Sequence, residues 1–252
     1  MDLRNGAKHI AAVRISIVVP AFNEERLLGH SLEQIKLATS AFERLGWEVE
    51  TIVCDNNSTD KTAQIARQAG ATVVFEPVNQ IARARNCGAA AATGDWLIFI
   101  DADSQPSSEL FSDVAAAITS GKCLAGGTTV KMDMRHPTAG IIVWFWNSAS
   151  RIFTLLAGSF IFCEAGAFRK IGGFSEVLFA AEELELTGRL KKIAKETGKR
   201  VLILSRHPLL TSARKLHLYS LREHLRLLFR FAFNRRLLTD RKACYLWYDG
   251  RR

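Results

Sequence analysis

Two aspartates two residues apart are the side chains in this sequence best suited to hold a metal ion. Asp101-Ala102-Asp103 follows directly on the apolar run from Trp96 to Ile100. Alternate residues at the end of a strand can bring two hard oxygen ligands near one Mg²⁺ or Mn²⁺. A bound divalent cation stabilises a phosphate leaving group, and a carboxylate nearby can take a proton from an attacking hydroxyl. Because aspartates also cap helices and turns, the motif alone leaves that second interpretation open.

The elements that must position these aspartates alternate between strand and helix. Strands are predicted at 15–19, 49–53, 73–75 and 96–100, and helices at 24–45, 61–68 and 81–92. Such alternation predicts an α/β fold with a mostly parallel, Rossmann-like, doubly wound sheet, whose ligands bind beyond the carboxyl ends of the strands. Polar loops at 20–24, 55–60 and 101–103 all fall at that edge. We therefore expect these three loops to converge on one cleft.

Five motifs, taken in order, resemble the family 2 glycosyltransferases of the GT-A fold. They are Ile17 to Glu24, Cys54 to Asp60, Arg83 to Gly88 with Thr93-Gly94-Asp95, Asp101-Ala102-Asp103, and Gly172-Gly173-Phe174 with Glu182-Glu183. The resemblance covers roughly residues 15 to 195. It implies a GT-A domain at 1–215, with a nucleotide-binding half at 15–103 and an acceptor half at 104–215, followed by a C-terminal tail at 216–252.

The activity that this resemblance implies is an inverting transfer of a sugar from a nucleoside diphosphate donor to an acceptor hydroxyl. We expect a UDP-sugar donor and a divalent cofactor, Mn²⁺ or Mg²⁺, held by Asp101 and Asp103. The nucleotide-sugar would also contact residues of the polar loops and one arginine. These are Pro20, Ala21, Phe22, Glu24, Asp55, Asn56, Ser58, Arg85, Asp101 and Ala102.

Two of these contacts have an alternative that the sequence leaves open. Asp55 and Asn56 would pair with the base edge of the nucleotide, yet the same loop could close as an Asx-turn. The family has a second Asp where this chain has Asn56. An amide both donates and accepts hydrogen bonds, so the nucleotide preference is less defined than with a carboxylate.

Arg83 and Arg85 lie two residues apart on a predicted helix, so their side chains diverge by about 200°. Both cannot face the same site. We expect Arg85, next to Asn86, to contact the donor, with a solvent-exposed position as the alternative.

A pair of glutamates stands where the family carries its catalytic base. Glu183 replaces the family's aspartate, with Glu182 before it as the second candidate. Asp103 completes the set of residues expected to take part in catalysis. The alternative for the glutamates is a purely structural one, since acidic residues are favoured in the first turn of a helix by its dipole.

Basic residues are concentrated at the C-terminal end. The net charge is +9, and residues 199–252 hold 14 Lys and Arg against 3 Asp and Glu. Residues 216–236 predict a basic amphipathic helix, which either packs on the domain or rests on an anionic membrane near a lipid-linked or membrane-bound acceptor. Thr211 to Lys215 offers cations for the donor diphosphate. Trp247-Tyr248 either covers the site or packs elsewhere.

Other classes of protein fit the sequence less well. Five scattered cysteines without a CxxC argue against a disulfide framework and a structural zinc site. A nucleotidyltransferase of similar sheet architecture would need a glycine-rich basic loop, whereas the first loop here is acidic. An anion- or nucleic-acid-binding protein using the basic tail is disfavoured, because the tail aromatics lie among aliphatic residues. Residues 1–9 lack an apolar core, which predicts a cytoplasmic protein, at most peripheral at the inner face of the membrane.

Overall fold

A computed structural model describes residues 13–133, 137–214, 226, 230 and 234–248. The strands are β1 Arg14–Ala21, β2 Glu48–Asp55, β3 Thr72–Phe75, β4 Trp96–Ile100, β5 Ser104–Gln105, β6 Cys123–Met132, β7 Phe160–Glu164 and β8 Arg200–Thr211. The helices are α1 Leu28–Glu43, α2 Thr62–Gln68, α3 Ile81–Ala91, α4 Ser108–Thr119, α5 Pro137–Phe153, α6 Ala165–Lys170, α7 Glu182–Glu196 and α8 Tyr245–Tyr248. A 3₁₀ turn covers Arg235–Thr239.

The strands of the described residues form one sheet in the order β3-β2-β1-β4-β7-β6-β8-β5. The first four strands pair in parallel, as their helical crossovers require. β7 then pairs antiparallel with both β4 and β6, and β8 returns parallel to β6. The predicted α/β Rossmann-like sheet is confirmed, and its parallel character belongs chiefly to the first hundred residues.

Helices cover both faces of the sheet because its central strands bury side chains alternately on each side. On β1, Ile17 and Val19 pack with α1 and α4, while Val18 packs toward α3 and α7. On β4, Ile98 and Phe99 divide in the same way. This period of two with both faces buried is what a doubly wound sheet demands.

Several predicted bounds shift in the structure. α1 begins at Leu28 rather than at Glu24, because residues 24–27 form a turn closed by Leu28 N donating to Glu24 O. The apolar stretch 141–162 divides between α5 and β7. Among the described residues, no helix is long and apolar enough to cross a membrane.

The C-terminal tail is described only in part. Arg226 and Arg230 are exposed, and the other residues of 215–233 lie outside the described residues. The amphipathic helix at 216–236 and the domain division at 215 therefore stay predictions.

Candidate active site

The loops after β1 and β2 are joined by hydrogen bonds. Asn23 N donates to Ser58 Oγ over 3.0 Å, and Asn23 Oδ1 accepts from Thr59 N at 2.8 Å. Asp55 Oδ1 accepts from Ser58 N, three residues on, at 3.0 Å, which ties the loop to its own first residue. Asn23 and Asn57 have φ of 52° and 65°, a left-handed conformation that asparagine tolerates better than most residues. Asp55 and Ser58 thus shape the loop pair.

A cleft opens at the carboxyl edge of β1, β2 and β4, and the three polar loops meet there as expected. Its lining includes eight of the predicted residues, namely Pro20, Ala21, Phe22, Glu24, Asn56, Asp101, Ala102 and Asp103. It also includes four that sequence reasoning missed or left open, namely Asn79, Ile81, Ala84 and Tyr248. The cleft therefore has acidic groups on one side and small or apolar groups on the other.

Asn56 lies at the cleft, but its amide serves the protein itself. The amide Nδ2 donates to the backbone carbonyls of Glu76 and Val78 at 3.2 and 2.7 Å, and Oδ1 accepts from Gln80 N at 2.8 Å. Both N–H donors are thereby spent on the segment that leads into α3. In this structure, Asn56 holds that segment beside the cleft and has no donor left for a base.

Arg85 is buried at the inner end of the cleft, only 3% exposed, and binds three partners. It donates to Glu182 Oε1 at 2.8 Å, Asp101 Oδ1 at 3.0 Å and the Gly158 carbonyl at 2.9 Å. The guanidinium also lies 5.2 Å from the centre of the Phe174 ring. One arginine therefore fixes one aspartate of the predicted metal motif and one glutamate of the predicted base pair.

The predicted divergence of the two α3 arginines is confirmed. Arg83 turns away from Asp101 and pairs with Glu76 at 3.1 Å and with Glu176 at 2.8 Å. Arg85 is the arginine that reaches the aspartate motif, as the sequence predicts.

Arg214, just beyond β8, occupies the mouth of the cleft. Its two terminal nitrogens donate to the two Glu24 oxygens at 2.9 and 2.7 Å, and Nη2 lies 3.7 Å from Asp103 Oδ2. The backbone fixes this end too, because Ser212 N donates to Asp103 O at 3.2 Å. A basic residue of the segment 211–215 thus lies beside the aspartate motif.

Glu183 lies beside the Arg85 cluster at the start of α7. Its neighbour Glu182 is buried and ion-paired, whereas Glu183 is partly exposed. A Cβ placed on Gly158 would lie 3.7 Å from the Glu183 carboxyl carbon and 3.1 Å from Arg85 Nη2, so Gly158 separates the two groups. Loss of hydration, followed by repulsion from Glu182, raises the pKa of Glu183 to about 8.

The C-terminal residues close one side of the cleft. Tyr248 accepts a hydrogen bond from Ile81 N at 3.3 Å and packs edge-on against Phe179, with ring centres 5.5 Å apart. Phe179 N donates to Leu238 O at 2.7 Å. Strand–helix alternation could have located Asn79 and Ile81. They lie just before α3 and at its first residue, at the edge of the sheet where the cleft opens. Tyr248 comes from 167 residues further along and has no local signal.

Asp101 and Asp103 fit a divalent cation that is completed by other ligands. Both line the cleft and offer hard carboxylate oxygens. In the part of the chain that the structure describes, no three His, Cys, Asp or Glu side chains are arranged to hold an ion. Mg²⁺ commonly binds to one or two protein carboxylates together with substrate phosphates and water. The pair therefore suits an ion that arrives with a phosphate ligand.

An acidic cleft at the carboxyl edge of a doubly wound sheet is the architecture of a nucleotide-binding α/β enzyme. Residues 16–172 match the profile of the family described as "Glycosyl transferase family 2". The chain belongs to this family. The match agrees with the resemblance in the sequence motifs and favours it over the nucleotidyltransferase alternative.

Two curated relatives share this region of the chain. An uncharacterized glycosyltransferase of Mycobacterium bovis is 31% identical over 147 residues, which cover 58% of this chain and 59% of that protein. An undecaprenyl-phosphate 4-deoxy-4-formamido-L-arabinose transferase of an Enterobacter species is 29% identical over 153 residues, covering 58% of this chain and 43% of that protein. The chain matches about half the length of these relatives.

A solved structure shares the GT-A fold. It is glucosyl-3-phosphoglycerate synthase from Mycobacterium tuberculosis in complex with Mg²⁺ and UDP, with a TM-score of 0.58 and 20% identity. The superposition covers 87% of this chain and 79% of that one. At this identity the likeness shows the fold alone.

Proposed function

We propose that the protein transfers a sugar, with inversion, from a UDP-sugar to an acceptor hydroxyl, using a divalent metal ion. The observation that carries the proposal is that the loop after β1 and the aspartate motif line one cleft, while Arg85 ties Asp101 to Glu182 of the predicted base pair. The groups that bind the donor and the group that acts as the base would then lie next to each other. The neighbouring fold that is solved with Mg²⁺ and UDP supports the choice of nucleotide and cofactor.

Asp101 and Asp103 would hold the ion, which supplies positive charge against the diphosphate as it leaves. Pro20, Ala21 and Phe22 would lie against the nucleoside at the end of β1. Arg214 lies beside Asp103 and carries a planar fork of donors suited to phosphate oxygens. These groups orient the donor and stabilise the negative charge that the leaving group acquires.

Glu183 would act as the base. The acceptor oxygen forms a bond to the anomeric carbon while the bond from that carbon to the diphosphate oxygen breaks, and the acceptor proton passes to the Glu183 carboxylate. A pKa raised to about 8 makes this carboxylate a stronger proton acceptor than an ordinary glutamate. One displacement of this kind inverts the anomeric centre.

We also propose that the acceptor is lipid-linked or membrane-bound. The Enterobacter relative is named for undecaprenyl-phosphate, and the basic C-terminal end of this chain suits an anionic surface. The exposed Arg226 and Arg230 agree with a cationic outer face on this segment.

The test is nucleotide binding by calorimetry against UDP, GDP and their sugars, each with Mn²⁺, with Mg²⁺ and with EDTA. UDP should bind most tightly, and EDTA should weaken binding by about tenfold or more, since Asp101 and Asp103 would hold an ion that supplies positive charge to the diphosphate. Asp103→Ala should bind UDP equally weakly with or without the metal.

The matched control is Asp113→Ala, which changes a carboxylate on α4 that pairs with His207 and does not line the cleft. It should bind UDP as the wild type does. Metal-independent UDP binding by the wild type would overturn the cofactor assignment. Preference for another nucleotide would overturn the donor assignment.

A further inference from the structure

Helix α5 presents an apolar stripe to solvent. Ile141, Trp144, Phe145 and Ile152 follow at i, i+3, i+4 and i+11, and each is between 68% and 73% exposed. These spacings place the four side chains on one face of a helix. Large aromatic side chains this exposed and this close together are unusual on a protein surface, and a contiguous patch of this kind marks an interaction site.

The opposite face of α5 is firmly attached to the sheet. Asn147 Oδ1 accepts from Val130 N at 3.0 Å, and Asn147 Nδ2 donates to Val130 O at 2.9 Å. Ser150, on the same side, is fully buried and donates to Leu155 O. Because these contacts fix the rotation of the helix, the apolar stripe must face outward.

Cations border this stripe. Arg151 is exposed and directly precedes Ile152. Lys131 is also exposed and follows Val130, the β6 residue that is hydrogen-bonded to Asn147 of α5. Lys191 donates to the backbone carbonyl of Phe153, the last residue of α5. The helix itself contains no Asp or Glu. Aromatic and aliphatic groups with basic groups at their margin are the composition of a helix that lies in the interface of an anionic bilayer.

We propose that the α5 stripe docks on an anionic lipid surface, with Trp144 and Phe145 inserted at the level of the headgroups. A lipid surface fits better than a second copy of the chain, because anionic headgroups complement the cations at the margin, whereas an identical α5 offers no Asp or Glu to pair with them. Tryptophan in particular favours the boundary between headgroups and acyl chains. This proposal rests on α5 and not on the helix predicted at 216–236.

The stripe leads directly to the cleft. Five residues after α5 ends, the Gly158 carbonyl accepts from Arg85, and the next carbonyl, that of Ser159, accepts from Asp101 N at 3.2 Å. Docking through α5 would therefore bring a membrane close to the inner end of the site. The proposal does not depend on the transferase chemistry, since docking is measured without donor or acceptor.

The experiment is co-sedimentation of the full chain with vesicles of phosphatidylcholine alone or with one-third phosphatidylglycerol. The wild type should bind the anionic vesicles, and Trp144→Ser with Phe145→Ser should lower the partition coefficient by about tenfold or more, because most of the inserted area is lost. Arg151→Gln should lower it about severalfold at low salt, with the effect shrinking as salt is added. Circular dichroism and thermal unfolding confirm that each variant is folded.

The matched control is Leu37→Ser with Leu45→Ser, which removes two exposed leucines from the α1 region. It should bind anionic vesicles as the wild type does. Wild-type binding to neither vesicle would overturn the proposal, and so would equal binding by the Trp144 and Phe145 variant. A dimer in the wild type that this variant dissociates would identify a second copy as the partner instead.

Discussion

The two arginines of the cleft hold their carboxylates in opposite ways. Arg85 at the inner end is 3% exposed and divides its hydrogen bonds among Glu182, Asp101 and a backbone carbonyl. Arg214 at the mouth has a side chain 17% exposed and gives both terminal nitrogens to the single carboxylate of Glu24. The inner arginine joins three segments of the chain, whereas the outer one forks onto Glu24 and lies 3.7 Å from Asp103 Oδ2.

This difference separates a structural ion pair from one that a ligand can replace. If Arg85 moved away, Glu182 would stay buried with an uncompensated charge. The free-energy penalty for that is far larger than the net stabilisation that the ion pair gives. Moving Arg214 would return Glu24 to a more accessible position, and an incoming diphosphate would replace the lost carboxylate. The Nε–H groups of Arg85 and Arg214 are both buried without a hydrogen-bond partner among the described residues, so this donor does not distinguish the two arginines.

The largest effect is expected from Arg85→Ala. Removing one partner of a buried ion pair typically destabilises a protein by about 3–5 kcal/mol. Urea unfolding should show a loss of this size, and transfer activity should be lost because Asp101 and α7 are no longer held. Arg85→Lys should recover only part of the stability, since one ammonium cannot reproduce three directed contacts.

If Arg85→Ala unfolds at the same urea concentration as the wild type, Arg85 is not the structural ion pair that distinguishes it from Arg214. Arg83→Ala is the matched control, because this exposed arginine lies on the same helix and pairs with carboxylates outside the cleft. Its cost should stay within about 1 kcal/mol.

A smaller but more specific effect is expected from Glu183→Gln. If Glu183 is the base, transfer should fall about 10²–10⁴-fold while donor binding is retained. The kcat/KM of the wild type should rise with pH through about 8, as the carboxyl loses its proton. In the variant the remaining activity should lose that rise. A wild-type pH profile with no rise across this window would place the base elsewhere.

The same shift in pKa predicts how stability depends on pH. The folded state raises the pKa of Glu183, so the neutral carboxyl favours folding. That contribution is complete below the ordinary glutamate range and is lost as pH rises through about 8. In EDTA, the melting temperature should fall less between pH 6 and pH 9 for Glu183→Gln than for the wild type, because glutamine does not ionise.

The parts of this cleft that follow strands directly could be predicted from the sequence. Asp101 and Asp103 continue β4, and residues 20–22 end β1, so the parallel alternation alone brings them together. Arg85 could be separated from Arg83 by helical geometry. The role of Asn56 could not be predicted, because its partners are backbone groups of 76–80, whose path a local pattern does not specify.

Tyr248 and Arg214 were harder still for the sequence to place. Both reach the cleft from beyond the second half of the sheet, where β7 pairs antiparallel with its two neighbours and β8 pairs antiparallel with β5. The sequence contains basic residues within 211–215 and aromatic residues at 247–248, but its local pattern does not indicate which of these side chains points into the cleft. Long-range packing decides that, since each contact closes a loop of more than 150 residues.

The smallest effect, and the sharpest test of the exchangeable pair, is expected from Arg214→Ala. Its stability should fall by less than that of Arg85→Ala, because the Arg214 side chain is 17% exposed and its removal opens the buried Glu24 to water. UDP affinity should fall about tenfold, as one charge-assisted contact to the diphosphate is lost, while uridine affinity stays unchanged. Arg214→Lys should restore part of the affinity, since it returns the charge without the fork. If UDP and uridine lose affinity equally, Arg214 organises the pocket through Glu24 instead, and the two arginines are alike after all.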